Sequence, residues 1–407
     1  MSRIDDLLAE LAPGGVRHAA LSDVAAYSST RVDAADLDES SFVGVDNLVA
    51  NKSGRVDASY LPNTARLTAY EPGDILLGNI RPYLKKVWRA TSAGGCSGDV
   101  LAIRINSSVR DELASEFLYY VLSSDDFFAY NMQHAKGAKM PRGSKSAILS
   151  YRIPVPPLEV QREIVRILDQ FTQLEAELEA ELEARRVQYE FYRDSLLTFP
   201  ADTPIAQLGE LGTIFGGLTG KSKADFSGGN ARYATYTNVF NNIALNTEAD
   251  DFVRVGSDER QRSLAYGDVI FTGSSESLEE VGMTSVVTRQ LAEPLYLNSF
   301  CIGFRMHDGS LLNPEFAKHL FRSGPLRAQI IKTANGVTRI NVSKVRLAKI
   351  LVPLPPAAEQ RRVARILDRF EALTGDLRIG LPAEIAARRK QYEHYRDRLL
   401  TFQEEAA

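Results

Sequence analysis

The sequence predicts an α+β chain with a pseudo-twofold internal repeat. Two similar mixed α/β globular halves are each followed by the same long helix, and the two helices pair as an intramolecular coiled coil. Three observations predict this. A pair of motifs recurs about 200 residues apart, too long a period for a solenoid repeat. The residues between the first pair have helical periodicity without a breaker. The two halves outside the helices share short blocks in the same order.

The opening motif, PVPPLEVQREIVRILDQF from Pro154, returns as PLPPAAEQRRVARILDRF from Pro353, identical at 10 of 18 positions. The closing motif, ARRVQYEFYRDSLLTF ending at Phe199, returns as ARRKQYEHYRDRLLTF ending at Phe402, identical at 13 of 16. From Leu158 to Phe199 there is no Gly or Pro, and Ile164, Ile167, Phe171, Leu174, Leu178 and Leu182 form one apolar stripe. The first helix is expected to begin near Pro157, where a missing amide costs nothing. A rod this long needs a partner for its stripe, and the second copy supplies one. That copy runs from Pro356 to Phe402 with four extra residues in EALTGDLRIGLPAEI. There Gly375, Gly380 and Pro382 predict a break or kink. The closing EEAA is expected to fray.

Residues 3–11 read as a short amphipathic helix stopped by Pro13-Gly14-Gly15. Its Arg3, Asp5, Leu7 and Leu8 resemble the YRDSLL that ends the long helix, which suggests a cyclic arrangement with helical ends on both sides of each half. Residues 16–151 contain short β-rich runs bounded by Gly, Pro, Asn and Asp. ASEFLYYVLSSDDFFAYNMQ reads as a single helix with Phe117, Tyr120 and Val121 on its apolar face. Residues 200–352 repeat the plan: GDVIFTGS (267–274) matches GDILLGNI (73–80), and EFAKHLFRS (315–323) matches EFLYYVLSS (116–124).

Composition is that of a globular protein, with 44% hydrophobic and 25% charged residues and a net charge of −4. No apolar run approaches the ~18 residues that span a bilayer. Asp5, Asp6 and Glu10 do not fit a signal peptide. Cys96 and Cys301 are the only cysteines; one disulfide is open to them, but a reducing cytoplasm fits better. The expectation is a cytoplasmic chain without a membrane partner. No catalytic constellation is apparent. The five histidines lack metal-ligand spacing, and GGLTGKS (216–222) has Phe215 where a phosphate-binding loop needs glycine. NPEF (313–316) superficially resembles an amino-methyltransferase motif but lacks its second proline. Neither a metal nor a catalytic residue is therefore assigned.

Two stretches at equivalent positions, 127–158 and 316–358, contain no acid. The first supplies Lys136, Lys139, Arg142 and Lys145. The second supplies Lys332, Arg339, Asn341 and Lys344, together with Lys318, Arg322, Arg327, Arg346 and Lys349. Cations neutralise phosphates, and Arg, Lys and Asn read base edges. Further candidates are Arg81, Lys85 and Lys86 in the first half, and Lys221, Lys223 and Arg232, with Tyr236, in the second. A single basic loop is more often a solvated surface; two positionally matched, acid-free loops favour DNA.

The PxPPxxxQR…RILD blocks, the ARRxQYExYRDxLLTF closures and LGELGTIFGGLTGKSKADF resemble the specificity subunit of type I restriction-modification systems, over essentially the whole chain. The resemblance implies two target recognition domains held apart by two antiparallel helices, each domain reading one half of a bipartite DNA site. In this numbering it implies a first recognition domain at 1–151, a first helix at 152–200, a second domain at 201–352 and a second helix at 353–407. It also implies two modification subunits that use S-adenosylmethionine to methylate adenine N6, and restriction subunits that use ATP and Mg to translocate and cleave DNA. This chain itself would be non-catalytic and hold no cofactor. The near-identical helix ends are expected to dock those partners through Arg185, Arg186, Tyr189, Tyr192 and Arg193, and through Arg388, Arg389, Tyr392, Tyr395 and Arg396, with Gln161 and Gln360 at the helix starts. The rival reading is a two-headed coiled-coil scaffold that binds proteins and has no DNA specificity.

Overall fold

The computed structural model describes residues 3–374 and 380–405. The chain forms two compact units: Met1–Leu178 with Ile385–Ala407, and Glu179–Glu384. The boundary after Leu178 falls inside one continuous helix, Leu158–Leu196, which contributes residues to both.

In the first unit the central sheet is antiparallel, in the order Ala25–Tyr27, Val100–Ile105, Ile75–Gly78, Val87–Arg89. In the second unit the order Gly212–Gly216, Cys301–Met306, Val269–Thr272, Thr284–Val286 repeats it. The GD dipeptide before each second-listed motif strand has the same local construction. Gly73 and Gly267 take positive φ of 92° and 86°, which a side chain adopts only with strain. Asp74 is then clamped by Arg104 at 2.7 Å, and Asp268 by Arg305 at 2.6 Å. Both carboxylates are buried, and the paired guanidinium is what makes that burial tolerable. A smaller sheet in each unit contains one parallel pair, Phe42–Val43 with Gly95–Cys96 and Arg232–Ala234 with Leu295–Leu297. Cys96 and Cys301 are free, buried thiols pushed up to about 12 by burial.

The single helix expected over 114–133 is two, Ser115–Leu122 and Asp125–Gln133. Ser124 explains the break: its Oγ accepts from the Phe127 amide and starts a new helix. The second unit also has two helices here, Pro314–Leu320 and Gly324–Lys332, although Ser323 makes no capping bond and donates instead to Leu320 O at 2.7 Å. NPEF is the cap of the former, with Asn313 Oδ1 accepting from the Glu315 amide at 2.9 Å and Pro314 in the first turn.

The second long helix is interrupted as expected, into Ala357–Thr374 and Leu381–Leu399. Gly375 lies outside the described residues. Along the first helix Ile164 and Leu178 are buried, as is Leu168, while Ile167, Phe171, Leu174 and Leu182 are half-buried. In the first unit, Phe171 stacks on Tyr395 at 5.5 Å and Glu175 pairs with Arg389, so the two helices run antiparallel there. In the second unit the same pair recurs with the roles exchanged: Tyr192 stacks on Phe370 at 5.4 Å. Both ring pairs are tilted by 25°.

The N-terminal helix is Arg3–Leu11, as read from sequence, and it buries Ile4 in the first core beside Leu399, Leu400 and Phe402. The closing residues do not fray at Glu404 and Glu405. The Val16 amide donates to Gln403 O at 2.9 Å, the Glu405 amide donates to Val16 O at 3.1 Å, and Glu404 pairs with Arg152. Those bonds tie the last described residues to the first strand of the first half.

Candidate nucleic-acid interface

In the first unit, strand Ile75–Gly78 ends at Asn79, and the chain turns through Arg81 and Lys85, both left-handed at φ near 50°. The Arg81 amide donates to Pro141 O at 2.7 Å, and the Gly143 amide donates to Asn79 O at 3.0 Å. Lys136 and Arg142 exchange two backbone bonds of 2.9 Å, closing residues 137–141 into a loop. A Cβ at Gly143 would sit 2.4 Å from the buried Asn131 Oδ1, so glycine lets this loop lie against the domain. The two candidate stretches of this half thus form one surface.

That surface sorts the candidates. Arg81, Lys136, Lys139 and Lys145 are exposed and make no ion pair among the described residues. Arg142 is exposed but pairs with Asp99 at 3.0 Å. Lys85 is turned inward to Asp125 at 2.6 Å, and Lys86 donates to Val45 O at 2.7 Å. These two lysines fix the turn, which corrects their assignment as free phosphate contacts.

In the second unit a hairpin of Ala334–Asn335 and Ile340–Val342 occupies the position of that loop, and Ser274–Ser275 pairs with it as a third strand. Gly336, at φ 121°, makes the turn possible. Lys332 and Lys344 are exposed without an ion pair among the described residues. Arg339 is exposed, with its guanidinium 5.2 Å over the Phe300 ring, and Asn341 Nδ2 donates to Arg339 O. Arg322, Arg327 and Lys318 are not surface cations. Arg322 and Arg327 donate to backbone carbonyls such as Thr284 O and Gly282 O, both at 2.7 Å, and burial pushes Arg322 down to about 10. Lys318 is buried between Glu315 and Asp368.

The remaining candidates of this half stand apart from the hairpin. Lys221 is paired with Glu259, its side chain only 6% exposed, so the lysine of the false phosphate loop serves a turn. Arg232 lies 3.5 Å from Asp250 and over Phe252. Lys223 is exposed and without an ion pair among the described residues. Tyr236 does reach the hairpin sheet, donating to Ser274 O at 2.8 Å. Sequence reasoning missed the 274–280 turn, although the match between GDVIFTGS and GDILLGNI was the signal for it.

The helix ends also divide. Arg185 and Arg186 are exposed with intrahelical partners alone among the described residues: Arg185 donates to Gln188 Oε1 at 3.0 Å and lies 3.4 Å from Glu181, and Arg186 lies 3.9 Å from Glu183. Tyr192 and Tyr395 remain exposed although each stacks on a phenylalanine. Arg388 bonds to Gln391, and Arg389 pairs with Glu175. Four further residues, and the two glutamines, turn into their own units. Arg396 is 1% exposed and binds Asp125 at 2.7 Å, beside Lys52 and Lys85. Burial pushes Asp125 up, but those three cations outweigh it and hold the carboxylate well below its ordinary range. Arg193 is half-buried against Asp194 and Tyr189, and Tyr392 joins the first core. Tyr189 Oη lies 3.0 Å from His319 Nδ1, and His319 Nε2 contacts Asp368 at 2.7 Å. Gln161 is fully buried: it donates to Glu112 O and Pro156 O and accepts from the Ala114 amide. Gln360 repeats this with Leu311 O, Pro355 O and the Asn313 amide. Both glutamines are saturated internally, which corrects their assignment to a partner interface.

Among the described residues no group of His, Cys, Asp and Glu is arranged to hold a metal, and no helix is long and apolar enough to cross a membrane. The model of the type I restriction modification DNA specificity domain matches residues 99–184 and 200–387, more than half of the chain. The chain belongs to this family. Among relatives of this specificity-family chain, the EcoR124I/EcoR124II specificity subunit of Escherichia coli is 32% identical over 263 residues, covering 62% of this chain and 63% of that one. A Haemophilus influenzae chain assigned as a type I restriction enzyme specificity subunit is 28% identical over 318 residues, covering 72% of this chain and 74% of that one. The match thus spans just under two thirds of the Escherichia coli subunit's length. The fold matches a chain from a structure of complex assembly and conformational transition in a type I R-M system, with TM-score 0.61 and 20% identity, covering 95% of this chain and 97% of that one.

Proposed function

We propose that this chain is the DNA sequence-specificity subunit of a type I restriction-modification complex. Each unit reads one half of a bipartite site, and the helices set the spacer between the halves. One observation carries the reading. In both units the turn after the GD strand is hydrogen-bonded to an acid-free loop or hairpin, and the merged surface presents cations without ion pairs among the described residues. Unpaired, exposed Lys and Arg on one face are what phosphate neutralisation requires.

Catalysis lies in partners: two modification subunits that methylate adenine N6 with S-adenosylmethionine, and restriction subunits that use ATP and Mg. Arg185, Arg186, Tyr192 and Tyr395 are the helix-end residues most available to them. Duplex DNA is the shared ligand, the complex acts in the cytoplasm, and the scaffold reading without DNA specificity drops out with the family assignment.

Methylation sequencing of the host genome with and without this gene tests the proposal. The expected result is one bipartite adenine-methylated motif that disappears with the gene. An unchanged methylome, in cells that hold the modification subunit, overturns it.

A further inference from the structure

The merged surfaces of the two units differ in one respect. In the first, the turn after the GD strand carries the exposed Arg81. In the second, the corresponding turn carries Glu276 and Glu280, both exposed. These two carboxylates line a groove of about 570 Å³ whose other walls include Tyr236, Phe300, Thr338 and Arg339. Carboxylates beside a phosphate-facing hairpin repel DNA, so a merely basic surface gives no reason for them.

The groove keeps its opposite charges apart. Arg339 makes no ion pair among the described residues, and its guanidinium lies over the Phe300 ring. Glu276 has no hydrogen bond or ion pair among them, and Glu280 has only a 3.4 Å contact from Ser275 Oγ. One wall therefore offers free donors and the other free acceptors. Base edges in the major groove show that complement: guanine presents the O6 and N7 acceptors that Arg reads, and cytosine presents the N4 donor that Glu accepts.

We infer that this groove is the base-reading pocket of the second unit and that it selects a G·C pair, with Arg339 on guanine and Glu276 or Glu280 on cytosine N4. The inference rests on the function proposed above and adds the residues and the base identity. Val337, 96% exposed at the hairpin tip next to Arg339, is the leading edge that would enter the groove of the DNA ahead of them.

The test uses the full chain co-expressed with its modification partner, followed by methylation sequencing. Arg339→Ala identifies the half-site that this unit reads. The double variant Glu276→Ala/Glu280→Ala is expected to relax one G·C position in that same half-site by about tenfold or more, the scale of one good base contact. The other half-site and the spacer stay as they were. Thermal unfolding of the double variant checks that it folds; both side chains are exposed. A double variant that keeps full discrimination at every position overturns the inference, as does a half-site made only of A·T pairs. Loss of any gene-dependent motif in the wild type overturns the proposed function itself, and the two failures are distinct.

Discussion

At the residue scale, the glutamine of each PxPPxxxQ motif shows how a polar side chain can be structural. Gln161 satisfies an amide and two carbonyls where the helix start meets the preceding segment, and Gln360 does the same in the second unit. Gln161→Ala strands those groups in the interior and is expected to cost about 2–4 kcal/mol, read as a lowered denaturation midpoint. An unchanged midpoint would show that the bonds contribute nothing net. His319 provides a pH test. It is fully buried, faces Tyr189 and Asp368, and has Lys318 and Glu315 beside it. Burial lowers it below its ordinary 6.5, against the opposing pull of Asp368. The unfolded chain therefore binds the proton first. This contribution to stability is full above about pH 6.5 and declines as pH falls below it. Tyr120 is the matching residue of the first unit, donating to Asp169. His319→Tyr is expected to flatten the pH dependence of melting below about pH 6.5; a profile identical to the wild type refutes the assignment.

At the element scale, the loop and the hairpin were legible because acids are missing over 32 and 43 consecutive residues, a pattern that survives without coordinates. Which cations face outward was not legible. Arg322 and Arg339 belong to the same acid-free stretch, yet one donates to buried carbonyls and the other lies on an exposed ring. A sequence window does not register the neighbours that decide this, since they come from strands far away in the chain. The break in the 114–133 helix was missed for a related reason: Ser123-Ser124 is compatible with helix, and only the capping bond at Ser124 turns it into a start signal. Arg81→Ala and Lys139→Ala are expected to weaken DNA binding by the complex and to shallow its salt dependence by about one counterion each. Lys85→Ala should act instead through stability, because its ammonium is held by Asp125. Binding titrations at several salt concentrations, alongside melting curves, separate the two classes; equal salt slopes for all three variants would discard this division.

At the scale of the whole molecule, the repeat in sequence became a repeat of detail: the same sheet order, the same clamped aspartate, the same buried glutamine and the same stacked Phe–Tyr pair. Repeated motifs made the plan readable; partition into units was not, since it cuts through an unbroken helix. The cut after Leu178 falls within LEAELEAELEA (174–184). Inserting one further LEAE at this point extends the helix by ~6 Å without touching either reading surface. The expected outcome is a methylated motif with both half-sites unchanged and a longer spacer. An unaltered spacer would remove the helix from the measuring role.

The bonds between Val16 and residues 403–405 bear on how the molecule is made. The second unit is one contiguous stretch, Glu179–Glu384, whereas the first needs Ile385–Ala407 as well. During synthesis, which runs at about 5–20 residues per second, the half made first is finished last. Its core lacks Tyr392, Leu399, Leu400 and Phe402 until those residues emerge, and its polar cluster at Asp125 lacks Arg396. The order of translation and the order of folding are therefore opposed, and the second-made unit is the first that can close.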